Sequence, residues 1–201
     1  MNADADYRWI ELNPDYRSRL QRFECAEQHD WLAPAGVDVV KKHGKYYYEY
    51  EWEVQSVIRS MTNWNKRSEW IDICVSTSTD HDGFERLYAF VWYGVIGGKK
   101  DDANGTYMIG YIARDNSLSG CKFGDKALEH ALSVIEDNHR KTGREHVVGA
   151  RIDPQNRHSM DLFARHGFDD YGPDPDATQY HRWLKIPDKD LSVANESHGD
   201  I

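Results

Sequence analysis

The chain has 201 residues, 39% of them hydrophobic, a formal net charge of −9 and three cysteines. That length buries one sizeable domain core, and the acidic balance sets aside a partner that is mainly phosphate backbone, because the overall field repels nucleic acid. No apolar run approaches the roughly 18 residues that a membrane-crossing helix needs, and the odd, widely spaced Cys25, Cys74 and Cys121 argue against a disulfide framework or a thiolate zinc site.

The opening, MNADADYRWIELN, lacks the charged-then-apolar pattern of a secretion signal, so a cytoplasmic location without membrane contact is expected. Residues 7–12 alternate in the manner of a strand. Asn13-Pro14-Asp15 then offers a helix start, followed by YRSRLQRF. Between Tyr47 and Trp64, the residues Tyr50, Val54, Val57, Ile58 and Met61 recur at helical spacing and predict one apolar helix face. The aromatics Tyr46, Tyr47, Tyr48, Tyr50 and Trp52 read as core packing or a partner surface. The nearby Lys41, Lys42 and Lys45, like Lys99 and Lys100 further on, read as solvated loops.

Three strands are expected next, at 69–77, 86–96 and 106–114, rich in β-branched and aromatic types. Their linkers, TDHDGF and GGKKDDANG, are dense in turn formers, so the three form an antiparallel meander. From Phe123 the period changes to that of a helix, with Ala127, Leu128, Ala131, Leu132 and Ile135 on one face and Gly143 as the stop. A strand over 146–152, a short helix over 156–166 stopped by Gly167, and a strand over 178–186 complete the order. The polar residues 187–201 read as a flexible tail. The fold class is α/β (α+β), with a mixed, mostly antiparallel central sheet flanked by helices. The ten histidines are scattered without an HExxH or HxH pair, so no metal site is expected.

Chemistry concentrates in YMIGYIARDNSLSGCKFGDKALEHAL, where a strand runs through a loop with Gly120 and Gly124 into a helix. A helix start offers unpaired N–H groups and a positive dipole end to a pyrophosphate. Small loop residues let backbone approach it. The second informative stretch is RIDPQNRHSMDLFARHGFDDYG.

Together these pieces resemble the GNAT superfamily of N-acetyltransferases. In that family a loop Q/R-x-x-G-x-G/A binds the coenzyme A pyrophosphate, and a segment N-x-x-[AS]-x-x-[LF]-[YF]-x-x-x-G-F completes the cofactor cleft. Here Ser119, Gly120, Cys121, Lys122, Phe123 and Gly124 stand at the loop, followed by Asp125. Asn156, Ser159, Leu162, Phe163, Gly167 and Phe168 fit the second motif at every spaced position.

The resemblance spans residues 68–186 as the core, with 1–67 as the variable acceptor-side region of one domain over 1–186. It implies acetyl transfer from acetyl-CoA to a primary amine, on a small molecule or a protein, with no metal. The strands at 106–114 and 146–152 splay apart, and the backbone of Tyr111, Ile112, Ala113 and Arg114 binds the pantetheine arm. Ser119 and Lys122 depart from the family's loop pattern. Phe163 takes a place often held by a Tyr general acid and has no proton to give. Glu85, Asp72, Tyr111, Asp153 and His158 are the candidates for the group that removes the amine's proton.

Near the start, Phe23-Glu24-Cys25-Ala26 and His29-Asp30-Trp31-Leu32 resemble the F-D-C-G…L-D-x-F-L opening of GNAT toxins that acetylate aminoacyl-tRNA. This keeps charged tRNA as a minor alternative to the amine acceptors. A homodimer is among the assemblies the family allows. Two other readings stand beside the enzyme: a GNAT-like binding or regulatory module with weak or no turnover, and an unrelated α/β binding protein.

Overall fold

The computed structural model describes residues 6–29, 36–62, 67–79 and 83–187; Asp30, Trp31, Leu32, Trp64 and the tail expected after residue 187 lie outside them. The elements run β1 (Tyr7–Glu11), a 3-10 turn (Pro14–Tyr16), α1 (Arg17–Leu20), β2 (Val39–Lys42), β3 (Lys45–Tyr48), α2 (Glu49–Ser60), β4 (Glu69–Thr79), β5 (Glu85–Ile96) and β6 (Thr106–Arg114). They continue with α3 (Phe123–Thr142), β7 (Val148–Ile152), α4 (Arg157–Arg165), β8 (Asp169–Asp174) and β9 (Ala177–Lys185). Seven strands form one sheet in the order β1-β4-β5-β6-β7-β9-β8, and only β6 and β7 pair in parallel.

Period-2 alternation divides the sheet's side chains between two cores. Along β5, Ala89, Val91, Tyr93 and Val95 pack with Phe123, Leu128, Ala131 and Ile135 of α3. On the other face, Phe90 joins Leu20, Phe23 and Ile58 from α1, its exit and α2, and Leu87 reaches the same face because a β-bulge at Tyr88 breaks the alternation. The molecule is therefore three layers, with α3 and α4 on one side of the sheet and α1 and α2 on the other. The expected stop of α3 is met by Gly143, in the left-handed conformation at φ 69° with its N–H on the His139 carbonyl.

The N-terminal region departs from its expectation. Tyr46, Tyr47 and Tyr48 belong to a two-stranded hairpin, β2–β3, rather than to the helix, which begins at Glu49. The hairpin turns at His43-Gly44, both at positive φ (49° and 80°), as a two-residue turn requires. The lysines expected in a loop therefore flank it as strand residues, Lys41 and Lys42 on β2 and Lys45 on β3. The strand β8 was also missed. Its sequence, DDYGPD, reads as a turn, and it pairs only because it is the sheet edge, where Pro173 need not donate and Gly172 at φ 79° absorbs a register shift. Leu132, expected in the core, is only partly buried at its margin.

Among the described residues no helix is long and apolar enough to cross a membrane. Nor does any group of three or more His, Cys, Asp or Glu among them suit a metal.

Candidate functional site

The site begins at an irregularity in β6. Trp92 of β5 faces Tyr111 and Tyr93 faces Ile109, so Gly110 is an extra residue, a β-bulge. The parallel pairing of β6 with β7 holds over Tyr107↔Val148, Met108↔Gly149 and Ile109↔Ala150 and stops there. Beyond it, Gly110–Arg114 continues along β5, while Arg151 and Ile152 follow β9. The bulge bends β6 away at the point where the two strands part, and backbone that would have been paired faces a gap.

Two hollows meet at that gap, of about 470 and 330 Å³, and they share Tyr50, Val54, Ile112, Asn156 and Ser159. They make one continuous cleft with two chemically different ends.

The larger end is built from backbone. The loop after β6 is tied down by Asn116, whose N–H donates to the Glu24 carbonyl and whose side-chain amide donates to Ala26 O at 2.6 Å. Asp115 caps its 3-10 turn by accepting from Ser117 N at 2.8 Å. The chain then enters α3 through Gly120 at φ 80° and Lys122 at φ 57°. No side chain caps α3, so the first N–H groups of this 20-residue helix have no intrahelical or capping side-chain acceptor. A Cβ on Gly120 would meet nothing within 4 Å, and one on Gly124 only Leu162 Cδ2 at 3.7 Å. Protein atoms thus leave room beside the helix start. Arg114, Lys122 and Arg165 line this end together with the carboxylates of Glu27, Glu51, Asp125 and Asp161.

No protein-family model and no curated protein matches the chain by sequence. Solved structures do match it by shape. A tyrosine-to-phenylalanine mutant of the AtaT toxin, bound to the C-terminus of the antitoxin AtaR and acetyl-CoA, superposes with a TM-score of 0.59 at 16% identity, covering 89% of this chain and 92% of that one. Nourseothricin acetyltransferase gives 0.52 at 13% identity, over 89% and 96%. A histone acetyltransferase HPA2 and related acetyltransferase from Corynebacterium glutamicum gives 0.52 at 10% identity, over 92% and 99%. The chain has the GNAT fold. At these identities the likeness is one of architecture.

Set on the GNAT fold, the residues singled out in the sequence separate clearly. Tyr111, Ile112, Ala113, Arg114, Ser119, Gly120, Lys122, Gly124, Asp125, Asn156 and Ser159 all line the cleft, and Phe163 lines its smaller end. The side chains of Cys121 and Phe123 turn toward the core instead. Phe123 is buried edge-on to Tyr7 at 5.6 Å and tilted on Tyr88 at 5.1 Å, so only the backbone of this pair belongs to the loop. Lys122 stands where the motif has glycine and adopts the conformation glycine favours, at a backbone cost of order 1 kcal/mol. Asp125 accepts from Arg165 at 3.0 Å and lies 3.2 Å from His166 Nε2. Burial pushes its carboxyl up, but those two partners outweigh burial and hold it below the usual carboxylate range. Asn156 caps α4 by accepting from Ser159 N at 3.0 Å.

Of the proton-removing candidates, Tyr111, Asp153 and His158 line the cleft. Glu85 and Asp72 do not. Glu85 lines a separate hollow, where Tyr16 donates to it and Arg8 lies at 2.5 Å, and those hydrogen bonds hold its carboxyl low. Asp72 is buried between the Tyr93 hydroxyl at 2.5 Å and His130 Nε2 at 2.9 Å, among groups that tie β4 to β5 and α3.

Four cleft carboxylates went unread in the sequence, Glu27, Asp161 and, on α2, Glu51 and Glu53. Glu51 lines the larger end and accepts from Glu27 N at 3.1 Å; burial raises its carboxyl to about 7. Glu53 lines the smaller end and accepts from the hydroxyls of Tyr111 at 3.0 Å and Tyr180 at 2.9 Å. The only sequence signal for the α2 pair was an EYEWE run on a helix, which reads equally well as a solvated face.

Proposed function

We propose that the chain is an N-acetyltransferase that moves an acetyl group from acetyl-CoA to a primary amine of a small-molecule or protein acceptor. The observation that carries this reading is the parting of β6 from β7 beside the uncapped start of α3, which makes one cleft of a phosphate-suited end and a gap of unpaired strand backbone. Room left at Gly120 and Gly124, with Arg114 and Lys122 alongside, suits the pyrophosphate of coenzyme A. In this reading the N–H groups of 122–125 hold the phosphates, Tyr111–Arg114 holds the pantetheine arm, and Asn156, Ser159 and Phe163 close the far wall. The solved AtaT complex with acetyl-CoA, similar in fold, supports the choice of donor.

Acetyl-CoA supplies a thioester whose carbonyl carbon is open to a neutral amine. The chain's part is to bind the amine, take up its proton and exclude water. Tyr111, with a hydroxyl raised to about 12 first by burial and then by Glu53, keeps its proton at neutral pH and so serves as a donor rather than a base. Asp153 and His158 remain as bases within the cleft. Phe163 is buried and offers no proton to a departing thiolate. That feature favours the second reading, a GNAT-fold binding module. The test joins two measurements. Acetyl-CoA raises the melting temperature by mass action, and thiol release with time is followed against an amine panel. Binding without thiol release from any amine class assigns the chain to the binding module.

A further inference from the structure

The smaller end of the cleft has an electrostatic character that the acetyl-transfer reading does not by itself require. Its described lining holds three charged residues, Glu53, Arg151 and Asp153. Arg151 is already committed elsewhere: its guanidinium sits 3.0 and 3.2 Å from the two carboxylate oxygens of Asp174 and 3.7 Å from Asp176. Glu53 therefore faces the cavity with two tyrosine hydroxyls and no cation among its hydrogen-bond partners. Those hydroxyls stay protonated donors, since burial and the Glu53 charge raise both Tyr111 and Tyr180 to about 12. Hydroxyl donors from β6 and β9 fix a carboxylate from α2, so three elements far apart in sequence agree on where one negative charge sits. Tyr50, Tyr111 and Tyr180 line the cavity with it, the latter two turning their hydroxyl ends to the carboxylate. Met108 and Ile96 add apolar lining, the latter 57% exposed.

We infer that Glu53, fixed by Tyr111 and Tyr180 at the parting of β6 and β7, is the specificity-determining counter-ion for an unbranched primary alkylammonium acceptor, whose apolar chain runs out along Met108 and Ile96. The inference rests on the acetyl-transfer reading for the fate of that amine, but the binding it asserts can be measured alone. A free aliphatic amine and a lysine side chain carry the same butylammonium head, so both sources are tested. The probes are n-butylamine, N-acetyl-lysine amide and the uncharged n-butanol, each titrated by heteronuclear NMR into the wild-type chain, Glu53→Gln and Glu53→Asp.

The expected result is saturable binding of n-butylamine but not n-butanol. Glu53→Gln, which keeps shape and loses charge, weakens it by roughly tenfold or more, and Glu53→Asp recovers part of the loss. Equal binding of n-butylamine by wild type and Glu53→Gln, or no saturable amine binding by wild type, overturns the inference. N-acetyl-lysine amide binding as n-butylamine does assigns a protein acceptor; exclusion of it assigns a free amine. Should Glu53→Gln melt far below wild type, Glu53→Asp against n-butanol and n-butylamine decides the same question. Acetyl-CoA binding is followed separately by thermal shift. Its failure sinks the acetyl-transfer reading and leaves the amine result to judge Glu53.

Discussion

The two ends of the cleft are made of different materials. The end at the start of α3 is made of backbone: an uncapped helix, a loop at positive φ, and glycines that leave space. The end under α2 is made of side chains, with a carboxylate from α2 held by hydroxyls from β6 and β9. Backbone sites must be written locally, because the residues that permit the turn and those that begin the helix are neighbours in the chain. Side-chain sites are written nowhere in particular, because the fold brings their parts together from positions as far apart as 53 and 180. A single fold thus carries one end that sequence spacing can announce and one that only tertiary structure reveals.

The sharpest way to break the comparison is to remove what both ends stand on. Leu128 is fully buried where α3 packs on the sheet, and Leu128→Asp places an unpaired charge there. A loss of roughly 3–5 kcal/mol in unfolding free energy is expected, read from denaturant midpoints, with both ends failing together. A variant that melts like the wild type removes α3 from the shared foundation.

Gly124→Glu separates the ends instead. The position has ordinary φ and room for a side chain, so the fold survives while a carboxylate enters the end proposed to hold the phosphates. The rise in melting temperature given by acetyl-CoA is expected to vanish, and n-butylamine binding at Glu53 to persist. An unchanged acetyl-CoA shift takes residues 119–125 out of the phosphate site.

The smallest effect sharpens the border between the ends. Burial raises Glu51 from 4.5 to about 7, with Arg114 pulling the other way. The folded state therefore holds this proton more tightly than the unfolded chain does. Its contribution to stability is full below about 4.5 and is lost as pH rises through about 7. Glu51→Gln removes that dependence. Melting temperatures of the variant and the wild type, compared across this window, should diverge in favour of the variant as pH rises. Parallel curves mean Glu51 is not buried in solution.

These differences follow what could be read from the residues alone. The meander β4–β5–β6, the helix α3 and the stop at Gly143 were legible because period and punctuation agree over long segments. Asn156 and Ser159 were singled out by their match to a family motif, and the structure adds that Asn156 caps α4 by accepting from Ser159 N. The hairpin β2–β3 was hidden by its lysines, which belong equally to a solvated loop. DDYGPD hid β8 because only its place at the sheet edge lets proline and glycine serve in a strand. Glu85 was a fair candidate by residue type, yet it is bonded to Arg8 and Tyr16 and lines a hollow that shares no lining residue with the cleft. Glu53 carried no motif, and its role is set by Tyr180, 127 positions along the chain.

The short pairing between β6 and β7 has a mechanical consequence. The sheet is two antiparallel leaves, β1-β4-β5-β6 and β7-β9-β8, joined by three parallel residue pairs, by α3 and α4 on one face, and on the other by Glu53 of α2, which accepts from Tyr111 of β6 and Tyr180 of β9. Opening at that join parts the two leaves without breaking an antiparallel pair inside either one. A molecule lying in the cleft bridges the two leaves and slows that opening. Protection of Ile109, Gly149 and Ala150 against exchange then becomes a gauge of occupancy, read from backbone amides rather than from chemistry.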